Sequence, residues 1–80
     1  MPNLSRNRQD PVLVKLGMTI RRIRISKGIS QENLALLAEV DRSYVGRVER
    51  GDNNVAILTL TKLTNALDIS LAKLMHEARL

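Results

Sequence analysis

Residues 30–50 read SQENLALLAEVDRSYVGRVER, and the chain changes character at Glu39-Val40-Asp41. Before that break the apolar residues are Leu34, Ala35, Leu37 and Ala38; after it they are Tyr44, Val45 and Val48, and the remainder is polar or charged. This spacing predicts two short helices, each with one buried face. Ser30 can cap the first, Gln31 to Ala38, and Asp41 the second, Arg42 to Arg50, which Gly51 terminates. The second helix carries Arg42, Ser43, Arg47 and Arg50, and what these side chains face decides how the protein is read.

The sequence outside the pair is also helical in pattern. Asp10-Pro11 reads as a helix start, with a carboxylate at the N-cap and proline where its missing N–H costs nothing. Leu13, Leu16, Ile20 and Ile23 then recur at three- and four-residue spacing, and Gly28 ends the segment. After the turn-rich GDNN, a fourth helix is expected around Leu58 to Leu67, and Ser70 caps a fifth from Leu71 to about Ala78. No segment alternates with period two. The fold class expected is therefore all-α, five helices in one domain over residues 11–80, preceded by a mobile polar arm over residues 1–10.

Composition narrows the functions open to it. The chain has 80 residues, near the lower end of what folds alone, and the 44% hydrophobic content still marks it as globular. Tyr44 is its sole aromatic residue and it has no cysteine, so the core is aliphatic and thiolate metal sites are excluded. A single histidine, His76, supplies no ligand cluster, and no cofactor is expected. No nucleophile, base and orienting group can be assembled, so the chain does not read as an enzyme. No apolar run nears the ~20 residues of a membrane span and no secretory leader is evident, so a cytoplasmic protein is expected. The formal charge of +5 suits a polyanion partner, and its distribution is uneven. Residues 1–30 hold seven basic side chains and one acid, whereas residues 31–80 hold six basic and seven acidic, with Arg42, Arg47 and Arg50 among the six.

Helix, three-residue turn, helix, with small Ala35 at the crossing and Val45 and Val48 packing back, is the pattern of a helix-turn-helix over residues 31–50. The chain resembles the lambda repressor and Cro class, the xenobiotic-response-element family, over roughly Leu16 to Leu74. IRRIRISKGISQENLA, DRSYVGRVERG and LTKLTNALDIS carry the likeness. Within the class, SQENLA, DRSYVGRVERGDNNV and ALDIS look most like the controller proteins of restriction-modification systems. The resemblance implies base-edge contacts from Arg42, Ser43 and Arg47, and phosphate contacts from Gln31, Tyr44, Arg50, Asn53 and Asn54. It also pairs Arg24 with Glu49 inside the fold. Helix geometry adds that residues 43, 47 and 50 share one face opposite Val45 and Val48, with Gly46 keeping that face shallow.

The pattern is departed from at three places. Glu39 stands where Gly or Asn is common, Ala56 stands where a capping Ser or Thr is common, and Asn53 replaces a frequent basic residue beside Asp52. At Glu39 either the backbone avoids positive φ or some strain is accepted; the other two raise the expectations of a late or frayed fourth helix and of weakened phosphate anchoring by the loop. Arg21, Arg22 and Lys27 are expected to form a solvated face. Arg6 and Arg8 belong to the arm, where disorder is favoured over a minor-groove contact.

Leu60, Leu63, Leu67, Leu71 and Leu74 suffice for the C-terminal core, which leaves Leu58, Met75 and Leu80 for a subunit interface. The expected function is a sequence-specific transcriptional regulator that binds a pseudo-palindromic operator as a homodimer. Its partners would be double-stranded DNA and RNA polymerase. An antitoxin-type autorepressor and a helical interaction module without DNA affinity are the alternatives, and a salt-dependent shift on mixed genomic DNA separates the module from the others.

Overall fold

Capping chemistry at Asp10, Ser30 and Ser70 sets where three of the helices begin. The computed structural model describes residues 8–80, so residues 1–7 of the expected arm, Arg6 among them, lie outside the described residues. It contains five helices: α1 (Pro11–Ser26), α2 (Gln31–Ala38), α3 (Arg42–Glu49), α4 (Ile57–Ala66) and α5 (Leu71–Glu77). No strand occurs among the described residues. The Asp10 carboxylate accepts the Val12 N–H at 2.9 Å. The Ser30 and Ser70 hydroxyls accept the N–H groups of Asn33 and Lys73 at 3.0 and 2.9 Å. Asp41 has the extended backbone of an N-cap, yet its side chain makes no capping bond. Ala56 is likewise an uncapped start, but α4 begins directly after it at Ile57, earlier than the periodicity indicates and not late.

The core is a single aliphatic cluster. Leu16, Ile20 and Ile23 of α1 meet Leu34, Ala35 and Ala38 of α2, Val45 and Val48 of α3, Leu60 and Leu63 of α4, Leu67, and Leu74 of α5. Leu71 and Met75 are half-buried against this cluster, so Met75 already has an internal use. Leu37 departs from the periodic expectation, being 60% exposed. The two turns of α2 bury only the Leu34, Ala35 and Ala38 stripe, and Leu37 falls at its edge beside Lys62 and Asn65 of α4.

The seating of α3 depends on a residue that the periodic pattern does not mark. A Cβ on Gly17 would collide with the Val48 carbonyl oxygen and lie 2.7 Å from that of Glu49. The backbone of α1 therefore touches the end of α3 directly, as only a glycine allows.

Candidate nucleic-acid interface

The amphipathic division of α3 is sharp. Val45 and Val48 are 1% and 3% exposed, while Arg42, Ser43 and Arg50 are exposed and Arg47 and Tyr44 are half-buried. The Arg47 guanidinium lies over the Tyr44 ring, 5.7 Å from its centroid, a stacking that limits the rotamers of a long side chain. Burial pushes the Tyr44 phenol above its usual pKa, opposed by the Thr59 side chain and by the Arg47 charge. Tyr44 thus packs its ring inward against the core and serves as a platform for Arg47. Gly46 is buried, and a Cβ there would sit 3.1 Å from a terminal nitrogen of Arg50. The space it leaves is taken by that guanidinium, so its role is to seat Arg50 and not simply to keep the outer face shallow.

Behind α3 lies a buried polar network. Arg24 and Glu49 pair in bidentate fashion, Nε to Oε2 at 2.6 Å and Nη2 to Oε1 at 3.1 Å. Arg24 Nη1 donates to the Ile29 carbonyl at 2.8 Å, and Gln31 Nε2 donates to Glu49 Oε1 at 3.0 Å. The network ties α1, the turn before α2, α2 and α3 to one another. Gln31 spends one amide N–H on it and keeps a second N–H and its carbonyl oxygen. Arg24 is part of this network, and no buried polar side-chain atom among the described residues lacks a partner.

A second polar cluster surrounds Asp52 in the loop after α3. Its carboxylate accepts from Gln9 Nε2 at 2.7 Å and from Arg50 Nε at 3.1 Å, and Arg8 Nε is 3.4 Å away. The Gln9 amide also donates to the Arg50 carbonyl at 2.7 Å, and the Gln9 N–H to the Gly51 carbonyl at 2.7 Å. The Gln9 and Arg50 hydrogen bonds hold the Asp52 carboxyl below its usual range. Arg8 and Gln9, near the end of the expected arm, are therefore strapped to the loop. Asn53 is half-buried and Asn54 exposed beside this cluster.

Arg21, expected on a solvated face, lines a polar notch with Arg24, Ser30, Gln31, Glu32 and Arg42. Its position on the exposed side of α1 is readable in the sequence; its closeness to Arg42 is not, because it depends on how α1 crosses the helix pair. Among the described residues no group of three His, Cys, Asp or Glu side chains could hold a metal ion. No helix of the described residues is long and apolar enough to cross a membrane.

Two short helices joined at a tight turn, the second packed by one side on the core, are the geometry of a helix-turn-helix. A family model described as "Helix-turn-helix" matches residues 20–74. The chain is a helix-turn-helix protein. Its relatives place it among the restriction-modification controller proteins. Control protein C.SmaI of Serratia marcescens is 40% identical over 60 residues, covering 75% of this chain and 71% of the relative. Control protein C.MunI of Mycoplasma sp is 30% identical over 67 residues, covering 82% and 90%. The crystal structure of the controller protein C.AhdI from Aeromonas hydrophila superposes with a TM-score of 0.76 at 53% identity, covering 78% of this chain and 94% of that one. That of the controller protein C.Esp1396I superposes at 0.79 and 31%, covering 85% and 88%. This helix-turn-helix protein is accordingly a DNA-binding transcriptional regulator.

Proposed function

We propose that the protein controls transcription at a restriction-modification locus by binding a pseudo-palindromic operator as a two-fold dimer, with α3 of each subunit in a major groove. The observation that carries this reading is the outward face of α3, where Arg42, Ser43 and Arg47 rise from a helix whose opposite side is anchored by Val45 and Val48. An arginine in that position forks to guanine O6 and N7. Arg42, Ser43 and Arg47 read base edges, and Arg47 arrives braced against Tyr44. Gln31, Tyr44, Arg50, Asn53 and Asn54 meet phosphates, with Arg50 exchanging its Asp52 partner for the DNA backbone. A nucleoprotein complex is known for the similar C.Esp1396I, which supports the same partner here.

One α3 makes few contacts, and recognition helices in dimers of this type are spaced ~34 Å apart, one turn of the duplex. Leu58, Met75 and Leu80 form the subunit interface. Leu58 and Leu80 are 74% and 46% exposed, and Ile57, next to Leu58 in the chain, is 57% exposed. The dimer acts in the cytoplasm through its position relative to RNA polymerase. In vitro selection of bound duplexes, followed by footprinting, tests the reading. The expected result is an inverted repeat for the wild type and loss of preference at one base pair per half-site for Arg47→Ala. Gln31→Ala should weaken all duplexes alike. A selection in which Arg47→Ala returns the unaltered motif would remove base reading by that residue.

A further inference from the structure

The Lys15, Met18, Arg22 and Ile25 side of α1 and the Glu77–Arg79 end of α5 enclose an open groove, which shares Arg21 with the notch beside Arg42. Its lining is divided by chemistry. Met18 and Ile25 supply large apolar side chains that are 64% and 51% exposed, and they stand seven residues apart on α1, about 10 Å along the axis. Four cations surround them. The single acid of the lining, Glu77, already accepts from Arg22 at 3.2 Å, with Lys73 Nζ at 4.0 Å. Lys15, Arg21 and Arg79 have no ion-pair partner among the described residues.

Single exposed apolar residues are ordinary on a protein surface, but Met18 and Ile25 stand on one side of α1 and line one groove together, among cations. A phosphate backbone gains nothing from Met18 or Ile25. A second copy of the chain is a poor occupant as well: a two-fold contact sets the same patch against itself and would bring the two sets of cations together. None of Leu58, Met75 and Leu80 lines the groove. What fits is a short amphipathic helix whose apolar stripe covers two turns and whose flanks are acidic. Met18, with its flexible thioether, adapts to such a stripe.

We propose that the groove between α1 and the end of α5 docks an acidic amphipathic helix of a protein partner. Met18 and Ile25 receive its apolar stripe, and Lys15, Arg21 and Arg79 pair with its carboxylates. The site stands on its own geometry and does not rest on the operator reading.

The test is an NMR titration of the full chain with two synthetic peptides of one leucine-spaced helical pattern, glutamate filling the polar positions of one and lysine those of the other. Saturable shifts of the Met18 and Ile25 methyl groups and the Ala78 amide are expected with the glutamate peptide alone. They should persist when duplex DNA is added. Met18→Glu combined with Ile25→Glu should weaken the glutamate peptide by at least about tenfold. Both side chains are already exposed, and an unchanged circular dichroism spectrum confirms that the variant folds. Lys15→Glu combined with Arg79→Glu should transfer the preference to the lysine peptide. Equal response to both peptides, no shift at the groove at millimolar peptide, or displacement by duplex DNA each overturns the proposal, the last by making the groove a nucleic-acid surface.

Discussion

A guanidinium buried between two helices is stable only if its donors are matched, and Arg24 shows how this chain meets that condition. Glu49 takes two of its N–H groups and the Ile29 carbonyl a third. Such a pair adds little net stability against a well-packed apolar substitute, yet removing one member strands the other charge. Arg24→Met should therefore destabilise the fold by about 3 to 5 kcal/mol in urea unfolding, and adding Glu49→Met should recover most of the loss. Recovery that fails would mean the pair is worth more than its own burial. Gly17 presents the opposite case, a residue whose importance lies in having no side chain. Gly17→Ala should push α3 away from α1 and destabilise by about 1 to 3 kcal/mol, with DNA affinity falling further than stability alone accounts for. The pairing of residues 24 and 49 was suggested by resemblance. The role of Gly17 was not legible, because a glycine inside a helical pattern looks the same whether or not another backbone lies against it.

At the scale of elements, the five helices end alike. After α1 the Ile29 N–H returns to the Arg24 carbonyl and the Gly28 N–H to that of Ile25, and the same pair of bonds closes α2, α3, α4 and α5. Each closure places one residue at positive φ: Gly28, Glu39, Gly51, Asp68 and Arg79, at 69°, 58°, 77°, 56° and 61°. Two are glycines and announce themselves. The other three carry a Cβ: Glu39 stands where Gly or Asn is common, Asp68 is of a type that tolerates this conformation, and nothing in the identity of Arg79 marks it. Glu39→Gly should raise stability by about 0.5 to 1 kcal/mol, read as a higher urea midpoint with unchanged slope. Ala56→Ser supplies the missing cap of α4 and should add about 1 kcal/mol, while greater protection of the amides of α4 from hydrogen exchange would place the gain in that helix. No gain would indicate that the first turn of α4 is already satisfied by its surroundings. Leu37 belongs at this scale too: a stripe of two turns cannot be assigned an edge until its neighbour is known.

For the whole molecule the deciding matter is assembly. The described residues span only 35 × 26 × 21 Å, and on the reading proposed above one subunit covers only part of an operator. Leu58→Asp should shift equilibrium sedimentation from dimer towards monomer and flatten cooperative operator binding. Met75→Asp should also lower stability, because Met75 packs against the core as well as facing outward. Unchanged association in both variants would move the interface elsewhere. DNA affinity should fall steeply with salt, and Arg50→Ala should reduce that slope by roughly one phosphate contact without altering the selected motif.

The helix count, the division of α3 into an anchored and an outward side, and the excess of arginine there were all determined by the sequence, since periodicity and caps are local and survive any arrangement of the helices. How those helices cross was not. The seating of Gly17 under α3, the Asp52 strap on Arg8 and Gln9, the meeting of Arg21 with Arg42, and the groove under Met18 and Ile25 each join residues far apart in the chain. Only the packed core brings them together, because each contact depends on crossing angles that no single element specifies.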